Sequence, residues 1–140
     1  MEKETNTEQA NETTTQTPGP VLIPVASGKG GVGKTFMVAN LAIALAQLGK
    51  RVIAADLDFG GSNLYTYLGF DNRHPGIAHF ISSGDTRLDE LLVKTRFDGL
   101  HFLPGEVRMP FLANMGYSQK QKLLLNLSKL DTDYVLLDLG

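Results

Sequence analysis

The sequence predicts an α/β domain, a parallel sheet covered by helices, and three observations carry that prediction. Four short apolar runs, at residues 21–26, 52–55, Leu100–Leu103 and Tyr134–Asp138, have the length and unbroken hydrophobicity of strands buried on both faces. After the first of them Val38, Leu41, Ala42, Leu45 and Leu48 recur at helical spacing. Between that run and that helix, Gly28 to Thr35 fills every fixed position of the pattern G-x-x-x-x-G-K-[ST], a loop that requires a strand before it and a helix after it.

In chain order, the first 20 residues hold six threonines, four glutamates and the breaker run Pro18-Gly19-Pro20. So few apolar groups do not offset the entropy of ordering, so 1–20 is expected to be a disordered polar tail and 21–140 the domain. The run at 21–26 then feeds Ser27-Gly28-Lys29-Gly30-Gly31-Val32-Gly33-Lys34-Thr35. Its four glycines let successive N–H groups turn inward as a nest for the α- and β-phosphates of a nucleotide, and the following helix adds its positive end. In this scheme Lys34 reaches the β- and γ-phosphates as a point charge, and the Thr35 hydroxyl takes one position on Mg²⁺. The nucleotide-binding set is therefore Gly28, Lys29, Gly30, Gly31, Val32, Gly33, Lys34 and Thr35. Lys29 is a second cation inside the loop, and a charge among glycines beside phosphates is rarely idle.

Gly49 is a natural stop for the first helix, with Lys50 and Arg51 near the negative end of its dipole. The second strand ends in Asp56-Leu57-Asp58. Strand alternation puts both carboxylates on one side at the C-terminal edge, where ligands bind in open α/β sheets. Two close carboxylates repel, and a bound Mg²⁺ or an ordered water relieves them. Asp58 is the candidate for orienting the attacking water.

Residues 65–68 read as one helical turn, and 75–82 and 88–94 as short amphipathic helices, with Pro75 suited to a first turn and Asp89-Glu90 near an N-terminus. His74, His79 and His101 lack mutual ligand spacing and are assigned structural or surface roles. Leu100–Leu103 is a third strand closed by Pro104-Gly105. Ser118 is the expected cap of a helix to about Leu130, with Leu123, Leu124 and Leu127 on its core side. The last strand ends in Asp138, the Walker B form, in which a strand-tip carboxylate holds the water shell of Mg²⁺ beside the phosphate loop.

Composition narrows the classes of function. The chain has 140 residues, 42% apolar and 20% charged, which suits one globular domain. A net charge of −2 argues against a strongly basic surface for nucleic acid. With no cysteine there is no disulfide framework and no thiolate metal site, and no run approaches eighteen apolar residues, so the cytoplasm is the expected compartment.

The second lysine makes the loop more particular. Lys29 through Thr35 resembles the deviant Walker A motif of the MinD/ParA family, ATPases that position division septa, partition chromosomes and plasmids, or set flagellar number. The segment Asp56-Leu57-Asp58-Phe59-Gly60-Gly61-Ser62-Asn63-Leu64 is similar to that family's first switch. The resemblance implies a three-layer P-loop NTPase of the SIMIBI type, with spatial strand order third, second, fourth, first. It implies ATP and Mg²⁺ as ligands, Thr35, Asp56 and Asp138 around the ion, and Lys29, Lys34 and Asp58 as the catalytic set. It also implies an ATP-dependent homodimer in which Lys29 crosses to the partner's nucleotide, where a cation offsets phosphate repulsion. A regulatory or cargo protein is the expected partner. Membrane or DNA association is not encoded in this stretch, and a full-length form would be cytoplasmic or peripheral at the membrane.

Phe36 stands where the family usually has threonine or serine, and Leu139 where it has a small residue or proline. Gly60-Gly61-Ser62-Asn63 is closer to the septum and flagellar branch than to the partition branch. Because the family adds further strands beyond its Walker B acid, the chain is expected to be truncated after four strands and to be at best a weak ATPase alone. The rival readings are a DNA-scaffold partition ATPase and a catalytically inactive, truncated interaction protein.

Overall fold

The computed structural model describes residues 17–61, 63–71, 73–105 and 114–140. The strands are β1 (Val21–Val25), β2 (Val52–Asp56), β3 (Val93–Lys94), β4 (Leu100–Leu103) and β5 (Tyr134–Asp138). The helices are α1 (Lys34–Gln47), α2 (Leu64–Leu68), α3 (Ile77–Ser82) and α4 (Tyr117–Leu127), with a 3₁₀ turn at Asp89–Leu91. Most of the expected tail, residues 1–16, lies outside the described residues, as do Ser62 of the switch segment and 106–113.

The sheet runs β1-β5-β2-β4-β3. Its four long strands are parallel and in the order the resemblance implied. The sheet has five strands rather than four, because β3 pairs antiparallel with β4, Val93 opposite Phe102 and Lys94 opposite His101. That corrects the helix expected at 88–94. Only Asp89–Leu91 turns helically, and Leu92 is already extended at φ −69°, ψ 126°.

Strand alternation sorts the core into two layers, one on each face. On one side Val52, Ala54, Leu100, Phe102 and Leu136 pack against α1 and α2. On the other Ile53, Ala55, Leu103, Val135 and Leu137 pack against α3, the 3₁₀ turn and α4. The face that α1 presents differs from the expected one: Val38, Ala39, Ala42 and Ala46 are buried, whereas Leu41 and Leu48 are exposed. Three alanines let the helix axis close on the sheet, and leucines on that stripe would hold it away. Gly49 ends α1 as expected, at φ +79°, with the Lys50 N–H donating to the Leu45 carbonyl.

Helix α4 starts two residues earlier than a cap at Ser118 would place it. Gly116 caps it, and its N–H donates to Gln119 Oε1 at 3.0 Å. Leu123 and Leu127 face the core, but Leu124 is exposed. Helix α3 begins at Ile77, two residues after Pro75. There the chain passes so close to β4 that the Ile77 N–H donates to the Pro104 carbonyl at 2.9 Å, and a Cβ on Gly76 would collide with that carbonyl. Gly76→Ala is therefore expected to cost about 1–3 kcal/mol, the range for overpacking against fixed backbone. Urea unfolding tests this, and an unchanged midpoint would show that the contact is not fixed.

Candidate functional site

Because β1, β2 and β5 are parallel and adjacent, their carboxyl ends meet at one rim, where Val25 and Asp56 both lie in register with Asp138. The phosphate loop leaves β1 at this rim and enters α1 at Lys34. Gly31 at φ +74° and Gly33 at φ +91° take left-handed backbone that other residues avoid, the conformation from which an anion-binding nest is built. Residues Gly28 to Gly33 are exposed, so the nest is accessible.

The rim brings the expected side chains together. Lys34 Nζ donates to Ser27 Oγ at 3.0 Å, and that hydroxyl donates to the Lys29 carbonyl at 2.6 Å. Ser27 thus ties the two lysine positions of the loop together, a role that the sequence signals only by a hydroxyl just before the first glycine. Lys29 itself is exposed at the loop's tip.

Asp138 is buried, and neither of its oxygens has a hydrogen bond of regular geometry among the described residues. Burial pushes its carboxyl above the usual range, and the Asp58 charge adds to the shift. The Thr35 hydroxyl, whose bond to it is irregular, and the Lys34 charge pull the other way. A buried carboxylate without a regular partner, beside a threonine hydroxyl, is an oxygen donor set that fits a hard divalent cation.

The other two acids sit differently from each other. Asp56 is fully buried, its Oδ1 accepting the Asp58 N–H at 3.2 Å and its Oδ2 the Leu64 N–H at 3.1 Å. Asp58 is half-buried, and its Oδ1 accepts the N–H groups of Gly60 and Gly61 at 3.3 and 3.1 Å. Its carboxylate lies against Gly140, where a Cβ would collide with it. Phe36, half-exposed beside the loop, meets Tyr67 of α2 edge-on, ring centroids 6.3 Å apart. That pairing gives the aromatic departure at position 36 a local function: it joins the start of α1 to α2.

A family model described as the CobQ/CobB/MinD/ParA nucleotide binding domain matches residues 23–136. The chain belongs to this family. Septum site-determining protein MinD of Synechocystis is 39% identical to it over 122 residues, 84% of this chain and 44% of that protein. Among solved structures, MinD of Pyrococcus horikoshii complexed with Mg-ADP superposes with a TM-score of 0.73 at 32% identity, over 86% of this chain and 50% of the other. A chain of the MinC:MinD cell division protein complex of Aquifex aeolicus gives a TM-score of 0.62 at 34% identity, over 84% of this chain and 46% of the other. This chain thus spans about half the length of these MinD/ParA relatives.

Proposed function

We propose that this chain is the phosphate-binding half of a MinD/ParA-like positioning ATPase, which dimerises on ATP and is reset by hydrolysis. The observation that supports this most is the buried Asp138 carboxylate, unsatisfied beside Thr35 and next to a glycine nest that carries two lysines. ATP would lay its phosphates in the loop, with Lys34 exchanging Ser27 for the β- and γ-phosphates. Thr35 and Asp138 would hold Mg²⁺, with Asp56 behind them. The ion, when bound, supplies neutralising charge at the phosphate oxygens.

Asp58 orients the water. That water attacks the γ-phosphorus in line as the bond to the bridging oxygen breaks, and ADP leaves with that electron pair. Lys34, together with Lys29 reaching across a dimer, stabilises the charge that develops. The Mg-ADP complex of the Pyrococcus relative supports the choice of ligand, and the MinC complex of the Aquifex relative supports a regulatory protein as partner. Among the described residues no helix is long and apolar enough to cross a membrane. By its resemblance to the family, and not from that absence, we place the protein in the cytoplasm or at the membrane surface.

Asp58→Ala is the first test. Positioning a water contributes to the transition state more than to the ground state, so phosphate release should fall about a hundredfold or more while ATP affinity by calorimetry stays within about threefold. Turnover near the wild-type rate would assign the water to another group. Absence of ATP binding to the wild-type chain would remove the reading altogether.

A further inference from the structure

Among the described residues, Asp56 is the fully buried acid at the rim whose two oxygens each accept a backbone N–H. Its two backbone donors belong to residues that bracket the stretch Phe59-Gly60-Gly61 without lying in it: Asp58 before it, and Leu64, the first residue of α2, after it. Helix α2 has no cap from the side chain of its own N-cap residue, Asn63. The cap comes instead from a strand tip eight residues earlier.

We propose that Asp56 is a positioning residue, a buried hinge pin that holds the Asp58 and Leu64 N–H groups to the tip of β2 and so sets where Asp58 stands. Three further observations carry it. The Leu57 N–H donates to the Asp138 carbonyl at 2.9 Å, so the loop departs from a fixed point on β5. Leu64 and Leu68 are buried against α1, and Tyr67 meets Phe36, so the loop's far end is anchored as well. Between these anchors Leu57 and Phe59 pack against the core layer, and the Asp56 carboxylate joins the two ends of the segment at one place. The chemistry is that of a carboxylate accepting backbone N–H groups, bonds stronger than neutral ones because the acceptor is charged.

The functional part of this inference rests on the reading of Asp58 as the water-orienting acid. A hinge pin and a direct Mg²⁺ ligand have different signatures. Loss of a ligand weakens the Mg²⁺ dependence of ATP binding, whereas loss of the pin frees two amides and lowers turnover with binding retained.

The test is amide hydrogen exchange in the full chain, beginning with the wild type, in which the Asp58 and Leu64 amides should exchange at least tenfold more slowly than those of Phe59 and Asn63. Equal exchange would overturn the proposal without any variant being made. Asp56→Asn keeps one acceptor oxygen and turns an amide toward the other donor. In it one of the two amides should lose at least tenfold of its protection, the amides of β2 and β5 staying unchanged, and ATP·Mg²⁺ affinity should remain within threefold while kcat falls at least tenfold. Loss of Mg²⁺ dependence with both amides still protected would overturn the hinge in favour of a metal ligand. Freed amides with turnover intact in both Asp56→Asn and Asp58→Ala would leave the hinge standing and overturn the role of Asp58.

Discussion

Lys34→Ala is expected to weaken ATP·Mg²⁺ binding by more than about a hundredfold, because it removes the loop cation placed for the β- and γ-phosphates. Charge-assisted hydrogen bonds contribute about 1.5–3 kcal/mol each, and every 1.4 kcal/mol is a factor of ten in affinity. Two such bonds, to two phosphates, exceed a hundredfold together. The fold should tolerate the change, since Lys34 is half-buried and its ammonium donates to one exchangeable hydroxyl, Ser27 Oγ. The melting temperature without nucleotide should therefore move by no more than a few degrees. Calorimetry with ATP and Mg²⁺ decides the matter: unchanged affinity in a folded Lys34→Ala protein would show that the phosphates do not sit in this loop.

The parts of the fold that could be read from the sequence are those whose residue types are dictated by burial or backbone geometry. Strands β2, β4 and β5 are short apolar runs because both faces of a parallel sheet are covered, and all three fall within or close to the runs that signalled them. The phosphate loop was legible because left-handed backbone at Gly31 and Gly33 demands glycine. Strand β3 was not legible. Two residues, Val93 and Lys94, have no periodicity of their own, and they are a strand only because β4 offers them an edge. The buried stripe of α1 was misassigned because hydrophobic weight favours leucine, whereas close approach of helix to sheet selects alanine.

Within the candidate site, the sequence could name Thr35, Asp56, Asp58 and Asp138 and single out Asp58 for the water, but could not show how each acid is held. Strand alternation treats Asp56 and Asp58 as equivalent, yet the first turns inward to backbone donors and the second sits over Gly140. That difference arises where β2 meets the loop to α2 and β5, a tertiary event with no local pattern. Ser27 escaped for the same reason, since its partners are seven and two residues away around a loop whose path the motif implies without giving its contacts.

Asp138→Asn is expected to raise the stability of the chain without nucleotide at neutral pH while removing the Mg²⁺ dependence of ATP binding. The carboxylate is buried without regular partners, and burial is the largest reason its folded pKa lies above the ordinary carboxylate range, with the Asp58 charge adding to it. A raised folded pKa means that the fold prefers the protonated form. Its stabilising contribution is present below the unfolded carboxylate pKa, near about 4, and is lost as the pH rises through the raised folded value. At neutral pH the wild type therefore carries the cost of burying a poorly satisfied carboxyl group, of order 1–3 kcal/mol for a buried unsatisfied group. Asparagine is neutral and of nearly the same shape, so the melting temperature should rise by several degrees at pH 7, with the gap closing toward pH 3. The opposite sign is expected once ATP and Mg²⁺ are added: the wild type gains stability through linkage to the bound ion and nucleotide, and the variant gains much less. Thermal unfolding at pH 3 and pH 7, with and without ATP and Mg²⁺, reads both effects in one experiment. A variant less stable than the wild type at pH 7 without nucleotide would show that the fold satisfies the Asp138 carboxylate by itself, and the site would then have no unmet charge for a cation to answer.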